Sequence, residues 1–403
     1  MASGRHMTVV LVLVAALGVF IATDPLRLSP LAELPDFKAK AVVPPLPRPD
    51  TVLFPRDHLN KLQNSSHVRF LRGIMGPESL AFDSAGRGPY TGIADGRIMR
   101  WDGPIVGWTT FATLYPNGTE SCKPQFPPVA NLTNEHVCGR PLGIHFMKQT
   151  GELYIADAYH GLRVVGPHGG EAKLVVGQAD GIPFHFTNDV EISSDGVIYF
   201  TDSSSNYDRR RFFLAAFSGD DTGRLLSYNP FTNEVKVLCK GIQFPNGLAL
   251  SKEESFLVVA ETTTCRLSRF WLKGDKAGTL ETFVQLPGPP DNVRANEAGD
   301  FWVAIHCRQN FLGWLAFSSP WMRYAILKLP VPLSRIYPFF LGGKPHALVM
   351  RYDSEGNILE VLEDQTGKLV KLISEVEERN GELWLGSVLM PYVAVYSRQG
   401  SSA

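Results

Sequence analysis

From about residue 51 onward, apolar and polar positions along the chain follow a pattern that repeats. Each copy opens with a Pro or Gly turn and a short apolar run, passes a polar turn, and enters a second apolar run. These second runs are rich in β-branched and aromatic residues, as strands are, and read ELYIAD, VIYFTD, FLVVAE, DFWVAI and ELWLGS. Turn pairs such as Asp195-Gly196 and Asn380-Gly381 precede them, which favours β-hairpins.

The repeated unit occurs six times, with copies that begin at Gly76, Arg140, Thr187, Pro245, Pro290 and Ile373. A spacing of about 45 to 65 residues leaves room for four strands in each copy, which is typical of a propeller. One such blade cannot bury both of its faces alone, whereas radial stacking buries them and protects the strand edges. We therefore predict an all-β protein, a six-bladed β-propeller over residues 51–403.

Two features modify this ring. We expect either residues 51–60 or residues 67–73 to add a strand to the last blade and close the propeller. Residues 309–345 break the repeat with FLGWLAFSSPWMRYAILKLPV. This stretch is predicted to be a helical insertion that packs against the propeller, with a lid or membrane-facing role as the alternatives.

The N-terminus carries an uninterrupted apolar run over residues 7–22. Its length fits the core of a signal peptide or a short signal anchor, so residues 1–22 are predicted to direct the chain into the secretory pathway. Residues 23–50, rich in proline and leucine without periodicity, are interpreted as a linker. The ER lumen or membrane, the vacuole and the cell surface remain open, as does membrane anchoring through residues 7–22.

Sequons and cysteines agree with that compartment. Sequons for N-glycosylation begin at Asn64, Asn117 and Asn131. Cys122 and Cys138 bracket a Pro- and Asn-rich loop, and a disulfide between them would contribute about 3 kcal/mol of stability in the chain-entropy model. The other three cysteines lie in apolar runs and are predicted to be buried thiols.

The formal net charge is −1, so no global field attracts the chain to nucleic acid or to an anionic membrane. No nucleic-acid partner is expected. The one basic triplet, Arg209–Arg211, is interpreted as a solvated loop.

The heads of the repeats carry the candidate chemistry. The innermost strand of each propeller blade lines a central channel, so residues at these heads converge from different blades. Two carboxylates and three amides occupy such positions: Glu78, Asn188, Asn246, Asp291 and Asn292. Calcium prefers six to eight oxygen ligands of this kind, whereas zinc prefers the His and Cys that this set lacks. The sequence predicts a Ca²⁺ site, and for each residue alone the alternative is an ordinary turn position.

Several of these segments resemble the strictosidine synthase family, over roughly residues 70 to 397. The similar segments include LYIADAYHGLRVVGPHGG, VIYFTDSSSNYDRR, TGRLLSYNP and FLVVAETTTCRLSRFWLKG. CGRPLGI, FPNG and ISEV are especially similar to an animal branch, the adipocyte plasma membrane-associated proteins. The resemblance implies a six-bladed propeller with its functional site in the central channel.

Strictosidine synthases condense tryptamine with an aldehyde, and rely on a glutamate just ahead of the turn in the last blade. In this chain Ser374 corresponds to that glutamate, and Glu375 is expected to face the other side of its strand. A serine accepts a proton from an amine poorly at neutral pH. The resemblance therefore does not extend to the catalytic residue of the synthases.

The wider superfamily includes paraoxonase- and gluconolactonase-type propellers that hydrolyse esters and lactones with a channel calcium. Their ligand pattern resembles the five candidate residues named above. The paraoxonase histidine has no match, because Leu142 stands at its position. His145 and His160 lie nearby in sequence and are expected to be structural or surface residues.

Three functions follow from these patterns. The first is a calcium-dependent, arylesterase-like hydrolase of a small-molecule ester or lactone, with Asp291 as the candidate that activates water. The second is an amine–aldehyde condensing enzyme. The third is a non-catalytic secretory or membrane glycoprotein with a structural ion.

Overall fold

The computed structural model describes residues 2–34, 36–64, 66–116, 119–123, 134–340 and 344–398. Six antiparallel sheets, of four or five strands each, follow one another along the chain. The first strand of each sheet contacts the first strand of the next, and that of the sixth sheet contacts that of the first. The sheets therefore form a closed ring around a channel lined by their first strands, which confirms the predicted six-bladed β-propeller.

The blades are numbered 1 to 6 along the chain, and the first strand of each is its inner strand. Blade 1 comprises Leu80–Ala81, Tyr90–Gly92, Arg97–Trp101 and Trp108–Thr113, with Gly170–Glu171 added in parallel. Blade 2 comprises Pro141–Phe146, Leu153–Asp157, Gly161–Val165 and Lys173–Val176. Blade 3 comprises Thr187–Ile192, Ile198–Asp202, Gly223–Asn229 and Glu234–Ile242. A separate hairpin, Gln178–Ala179 with Ile182–Pro183, lies between blades 2 and 3 in the chain.

Blades 4 to 6 repeat the plan. Blade 4 comprises Pro245–Leu250, Phe256–Glu261, Arg266–Trp271 and Leu280–Gln285. Blade 5 comprises Pro290–Ala295, Phe301–Ile305, Ala347–Tyr352 and Ile358–Asp364. Blade 6 comprises Glu375–Arg379, Glu382–Gly386 and Tyr392–Ser397, and its fourth strand is Val68–Arg72 from the N-terminal side of blade 1. Of the two segments considered for closing the ring, residues 67–73 contain this strand.

Six hydrophobic clusters account for the stacking of the blades, because each lies between two neighbours. Leu80 and Met99 of blade 1, for example, pack against Val393 and Val395 of blade 6. Blades 4 and 5 enclose a similar cluster around Phe301. The core is thus divided into six wedges, as expected when amphipathic sheets bury their faces against one another.

Helices occupy both the N-terminal region and the blade connections. The α-helices are Ala2–Thr23, Glu135–Cys138, Phe212–Ser218, Phe311–Ser318, Pro320–Leu327 and Leu333–Phe340, with short 3-10 turns at Pro30–Glu33, Lys61–Gln63, Glu120–Cys122 and Arg209–Arg211. Three of these α-helices lie between the second and third strands of blade 5, in the stretch that interrupts the repeat. Such connections lie at the end of the ring where the inner strands begin.

The segment interpreted as a linker packs against these helices. Arg323 is fully buried and its Nη1 donates to the carbonyl of Phe217 at 2.9 Å. Tyr324 donates to the carbonyl of Phe37 at 2.7 Å, and Trp314 donates to that of Leu46 at 3.1 Å. Polar contacts to backbone carbonyls therefore attach residues 37–46 to the insertion.

The described part of the chain includes no helix with both the length and the apolar character that crossing a bilayer requires. The signal peptide or signal anchor over residues 1–22 stays a prediction.

The described cysteines and the first sequon have defined surroundings. Cys122 and Cys138 form a disulfide, Cys265 and Cys307 are buried thiols, and Cys239 is half-buried. Asn64 is exposed, and its Oδ1 accepts from the Ser66 hydroxyl at 2.8 Å. The sequon asparagines Asn117 and Asn131 lie outside the described residues.

A group of ion pairs joins the blades at the channel. It consists of Arg294, Asp189 and Glu375 and is called the ionic hub below. Arg294 of blade 5 donates through both Nη atoms to the carboxylate of Asp189 in blade 3, at 2.5 and 2.9 Å. Its Nε lies 2.7 Å from Glu375 Oε1 in blade 6, and Nη2 donates to Ser79 Oγ beside blade 1 at 3.2 Å. The backbone N–H of Leu248 in blade 4 donates to Asp189 at 2.9 Å. A single buried cation thus connects the inner walls of five blades.

We expect replacement of Arg294 by Met to destabilise the ring strongly. The carboxylates of Asp189 and Glu375 would stay buried without their cation, which typically costs about 3–5 kcal/mol. The measurement is the free energy of unfolding by chemical denaturation. The control is Lys236→Met, because Lys236 and Glu234 form an exposed pair at 3.1 Å and such pairs contribute about 1 kcal/mol or less. Equal losses in the two variants would show that the hub does not hold the blades.

Glu377, on the inner strand of blade 6, makes the stability of the fold depend on pH. Burial raises the pKa of Glu377 to about 7, against an ordinary 4.5. The folded chain therefore binds this proton more tightly than the unfolded chain, and stability falls as pH rises from about 4.5 to 7. We expect Glu377→Gln to lose less stability than the wild type between pH 5 and pH 8. The exposed Glu253 provides the control variant, Glu253→Gln, and parallel curves for all three proteins would contradict the prediction.

Candidate metal centre

The site residues lie where the inner strands begin, and a β-bulge follows the start of four of these strands. The register shifts fall between residues 141 and 144, 187 and 190, 245 and 248, and 290 and 293. A bulge places two consecutive residues opposite one on the partner strand and re-aims their side chains. Asp291 and Asn292 therefore both enter polar contacts near the channel, although strict alternation would separate them.

Each bulge contains two residues, and the second of the two alternates between glycine and a polar residue around the ring. It is Gly143 in blade 2, Asp189 in blade 3, Gly247 in blade 4 and Asn292 in blade 5. A Cβ on Gly143 would lie 2.3 Å from Asp189 Oδ1 of the next blade, and one on Gly247 would lie 2.4 Å from Asn292 Cα. Only glycine tolerates so close an approach of neighbouring strands. These two glycines make room for the polar residues of the following blade.

Three amide oxygens at these heads are buried without a partner. Asn188 Nδ2 donates to Ser203 Oγ at 2.9 Å, Asn246 Nδ2 donates to Asp291 Oδ1 at 2.6 Å, and Asn292 Nδ2 donates to Glu375 Oε2 at 2.8 Å. Each amide is therefore oriented by its N–H side, and within the described residues none of the three Oδ1 atoms has a hydrogen-bond partner.

Glu78 is the fourth acceptor of this kind. Its side chain is buried and its Oε2 has no hydrogen-bond donor in the described ranges. Leaving a buried polar group unpaired typically costs about 1–3 kcal/mol. Four such acceptors at the heads of the inner strands of four blades indicate a group that supplies positive charge there.

The two carboxylates act on each other. Burial raises the pKa of Glu78 to about 8, and the neighbouring Asp291 carboxylate adds to the rise. Burial likewise raises the pKa of Asp291 to about 6, against hydrogen bonds from Ser374 and Asn246 that lower it. A bound dication would offset both burial and mutual repulsion. The donor set thus fits a hard cation with oxygen ligands.

The fit depends on amides as well as carboxylates. The described residues contain no cluster of three or more His, Cys, Asp or Glu side chains placed to hold a metal ion. Two carboxylates with three amide oxygens would balance a dication, and they match the preference of calcium for oxygen. The residues that would hold it are Glu78, Asn188, Asn246, Asp291 and Asn292.

Ser374 and Glu375 lie beside this set with different roles. Ser374 is fully buried and hydrogen-bonds to Asp291. Glu375 is also fully buried, and Arg294 and Asn292 bind its two oxygens. Both carboxylate oxygens of Glu375 are therefore engaged within the protein.

The side chains of the nearby histidines contact carboxylates. His145 Nδ1 lies 3.2 Å from Glu191 Oε1, and His160 Nδ1 lies 2.8 Å from the buried Asp157. Leu142, at the position of the paraoxonase histidine, is 1% exposed on the inner strand of blade 2. These contacts agree with the structural role expected for the histidines.

The sequence patterns did not point to two arginines that lie next to the site. The interpretation of Arg209–Arg211 as a solvated loop is wrong for Arg209, whose side chain turns inward and is buried, whereas Arg210 and Arg211 are exposed and pair with Asp208. Arg140 is fully buried, with its Nη2 3.9 Å from Glu78 Oε2. Arg140 opens a repeat, which is the one signal that could have pointed to it.

Comparison with known proteins agrees with the fold. Residues 188–275 match the family described as Strictosidine synthase, and residues 60–101 match Strictosidine synthase-like, N-terminal. Asp291 and Asn292 lie outside both ranges. Among solved structures, a gluconolactonase from Xanthomonas campestris aligns with a TM-score of 0.53 at 15% identity, over 82% of this chain and 88% of its own. Regucalcin from Agrobacterium tumefaciens aligns with a TM-score of 0.50 at 14% identity, over 81% and 92%.

Curated relatives match over nearly the whole chain. Protein Strictosidine Synthase-Like 3 of Arabidopsis thaliana is 50% identical over 379 residues, which cover 94% of this chain and 96% of the relative. Adipocyte plasma membrane-associated protein of Gallus gallus is 36% identical over 345 residues, covering 83% and 78%. On this similarity and on the closed six-bladed ring, the chain belongs to the strictosidine synthase-like family.

Proposed function

We propose that this protein is a calcium-dependent hydrolase of ester or lactone bonds, of the arylesterase kind. The observation that carries the proposal is the set of buried, unpaired acceptor oxygens on Glu78, Asn188, Asn246 and Asn292 beside Asp291. The solved structures of similar fold include one described as a gluconolactonase and one described as a calcium-binding protein. These descriptions support the chemistry proposed, and the fold alone does not establish it.

Asp291 is the residue proposed to activate water. Its Oδ1 accepts from Asn246 and Ser374 hydrogen-bonds to it, so the carboxyl group is held in one orientation. Burial raises the pKa of Asp291 in the metal-free chain, and a bound cation would offset that rise and keep the carboxylate ionised to accept a proton. That combination suits a general base. When bound, calcium would supply Lewis-acid polarisation of the substrate carbonyl and stabilise the charge that develops on its oxygen.

Apolar side chains beside the heads of the inner strands limit the water around these groups. Leu142, Phe186 and Phe244 are buried in one cluster with Ala158 and with Ala215 of helix Phe212–Ser218. Fewer surrounding waters strengthen electrostatic interactions at the site.

Amine–aldehyde condensation has less support in this geometry. Ser374 stands where the synthases use a glutamate, and Glu375 is committed to Arg294 and Asn292. A structural ion in a non-catalytic protein would use the same ligands, so an activity measurement has to separate it from the hydrolase.

The decisive experiment compares phenyl acetate hydrolysis by the purified chain with calcium and after chelation. We expect turnover that requires calcium, and we expect Asn246→Ala to lower calcium affinity by at least about tenfold because it removes one ligand oxygen and the bond that orients Asp291. Calcium binding is measured separately by calorimetry.

Asn357→Ala is the matched control, because Asn357 is exposed and contacts only its own turn through Asp353. It should hydrolyse and bind like the wild type. Calcium binding without hydrolysis of phenyl acetate or of a lactone would contradict the hydrolase and favour the structural ion. Formation of a condensed product from tryptamine and secologanin would instead favour the synthase alternative.

A further inference from the structure

Arg140 and Arg209 form a pair of buried guanidinium groups beside the candidate metal centre, and the proposed reaction leaves them without a role. Arg140 is fully buried and Arg209 is 8% exposed. They come from different elements, since Arg140 directly precedes the inner strand of blade 2 and Arg209 lies in the connection after the second strand of blade 3. We call them the arginine pair.

The hydrogen-bonding capacity of the pair is largely unused. Arg140 Nη2 donates to the carbonyl of Gly76 at 2.7 Å, but its nearest carboxylate oxygens, on Glu135 and Glu78, lie 3.7 and 3.9 Å away. Its Nε and Nη1 are buried and lack a hydrogen-bond acceptor in the described part of the chain. Over the same residues the Arg209 side chain makes neither a hydrogen bond nor an ion pair within 4 Å, while its backbone carbonyl accepts from the N–H of Phe212.

The two cations act on each other electrostatically. Burial together with the field of Arg209 lowers the pKa of Arg140. Burial lowers the pKa of Arg209, but Glu135, Glu78, Tyr159 and Asp291 raise it by more, so these groups favour its charged form. Two like charges buried together are unfavourable unless anions compensate them.

Glu135 compensates the charge of Arg140 in part, through an ion pair at 3.7 Å. It is 2% exposed, and its Oε2 accepts from the Tyr159 hydroxyl at 2.6 Å. The carboxylates around the pair are Glu78, Asp291 and Glu135, which exceed the two arginines by one negative charge. A dication at the metal centre would make this region less negative and so favour the binding of an anion.

We propose that the arginine pair is a recognition subsite for a carboxylate group carried by the substrate, next to the reacting ester or lactone. The proposal rests on the proposed function and narrows its substrate class to anionic esters and lactones. Guanidinium groups suit this task, because their planar N–H donors match the two oxygens of a carboxylate. Within the described residues Arg140 keeps buried N–H donors without a partner on Nε and Nη1, and each can donate to one oxygen of an anionic group.

The first test measures binding rather than catalysis. Benzoate, and benzamide as its uncharged counterpart, are titrated by calorimetry into the full chain with and without calcium. We expect benzoate to bind at least about tenfold more tightly than benzamide, since hydrogen bonds to charged groups contribute about 1.5–3 kcal/mol. Calcium should strengthen the binding of benzoate, because the positive charge of the site depends on the ion.

Arg209→Gln tests the subsite, and Arg210→Gln is the matched control because Arg210 is exposed and paired with Asp208. The preference for benzoate should disappear in Arg209→Gln and persist in Arg210→Gln. Arg209→Lys keeps the charge without the planar fork, and should retain part of the preference. An unchanged preference in Arg209→Gln, or equal binding of benzoate and benzamide by the wild type, would overturn the proposal.

The second test uses hydrolysis of 4-acetoxybenzoate and of phenyl acetate. The ratio of their kcat/KM values should favour the anionic ester in the wild type and fall by about tenfold in Arg209→Gln. If phenyl acetate is hydrolysed with calcium but benzoate binds no more tightly than benzamide, the result would support the proposed hydrolase and overturn the subsite. A benzoate preference that depends on Arg209, with neither ester hydrolysed, would support the subsite and contradict the hydrolase.

Discussion

The candidate site depends on the ionic contact that Arg294 makes between Asp189 and Glu375. Arg294 is nearly buried, and its guanidinium holds the inner strands of blades 3, 5 and 6 at hydrogen-bond distance. That proximity is what leaves no space for a Cβ at Gly143 and Gly247. It also joins the blades whose strand heads carry the candidate amides, so the candidate site depends on an ion pair that lies outside the proposed chemistry.

Bulges at the strand heads separate structural from functional side chains. In blade 3 the bulge directs Asp189 to the hub, while the neighbouring Asn188 keeps a buried and unpaired carbonyl oxygen. In blade 5 Asp291 contacts Asn246, while Asn292 contacts Glu375. Regular pleating would have turned one residue of each pair away from the channel. The irregularity thus lets one strand end serve both the stability of the ring and the proposed binding of an ion.

Several buried charged and polar groups at the site lack a hydrogen-bond partner within the described residues. Among the residues that the structure describes, unpaired oxygens belong to Glu78 and to the amides, and unpaired N–H groups belong to Arg140. Native structures leave few such groups, and here acceptors and donors remain unpaired side by side. A cation for the first set and an anion for the second would satisfy both, and each would strengthen the other through their opposite charges.

Local sequence patterns determined much of this protein. The turn pairs and alternating strands predicted six blades, since each blade has the same local requirement for hairpins and two apolar faces. The repeat heads predicted Glu78, Asn188, Asn246, Asp291 and Asn292 as one set, because equivalent positions in a ring must converge. Tertiary structure alone decided that Asp189 and Arg294 form the hub and that Arg209 turns inward while Arg210 and Arg211 stay exposed. Bulge position and loop packing depend on contacts between distant segments, and no periodicity along the chain records them.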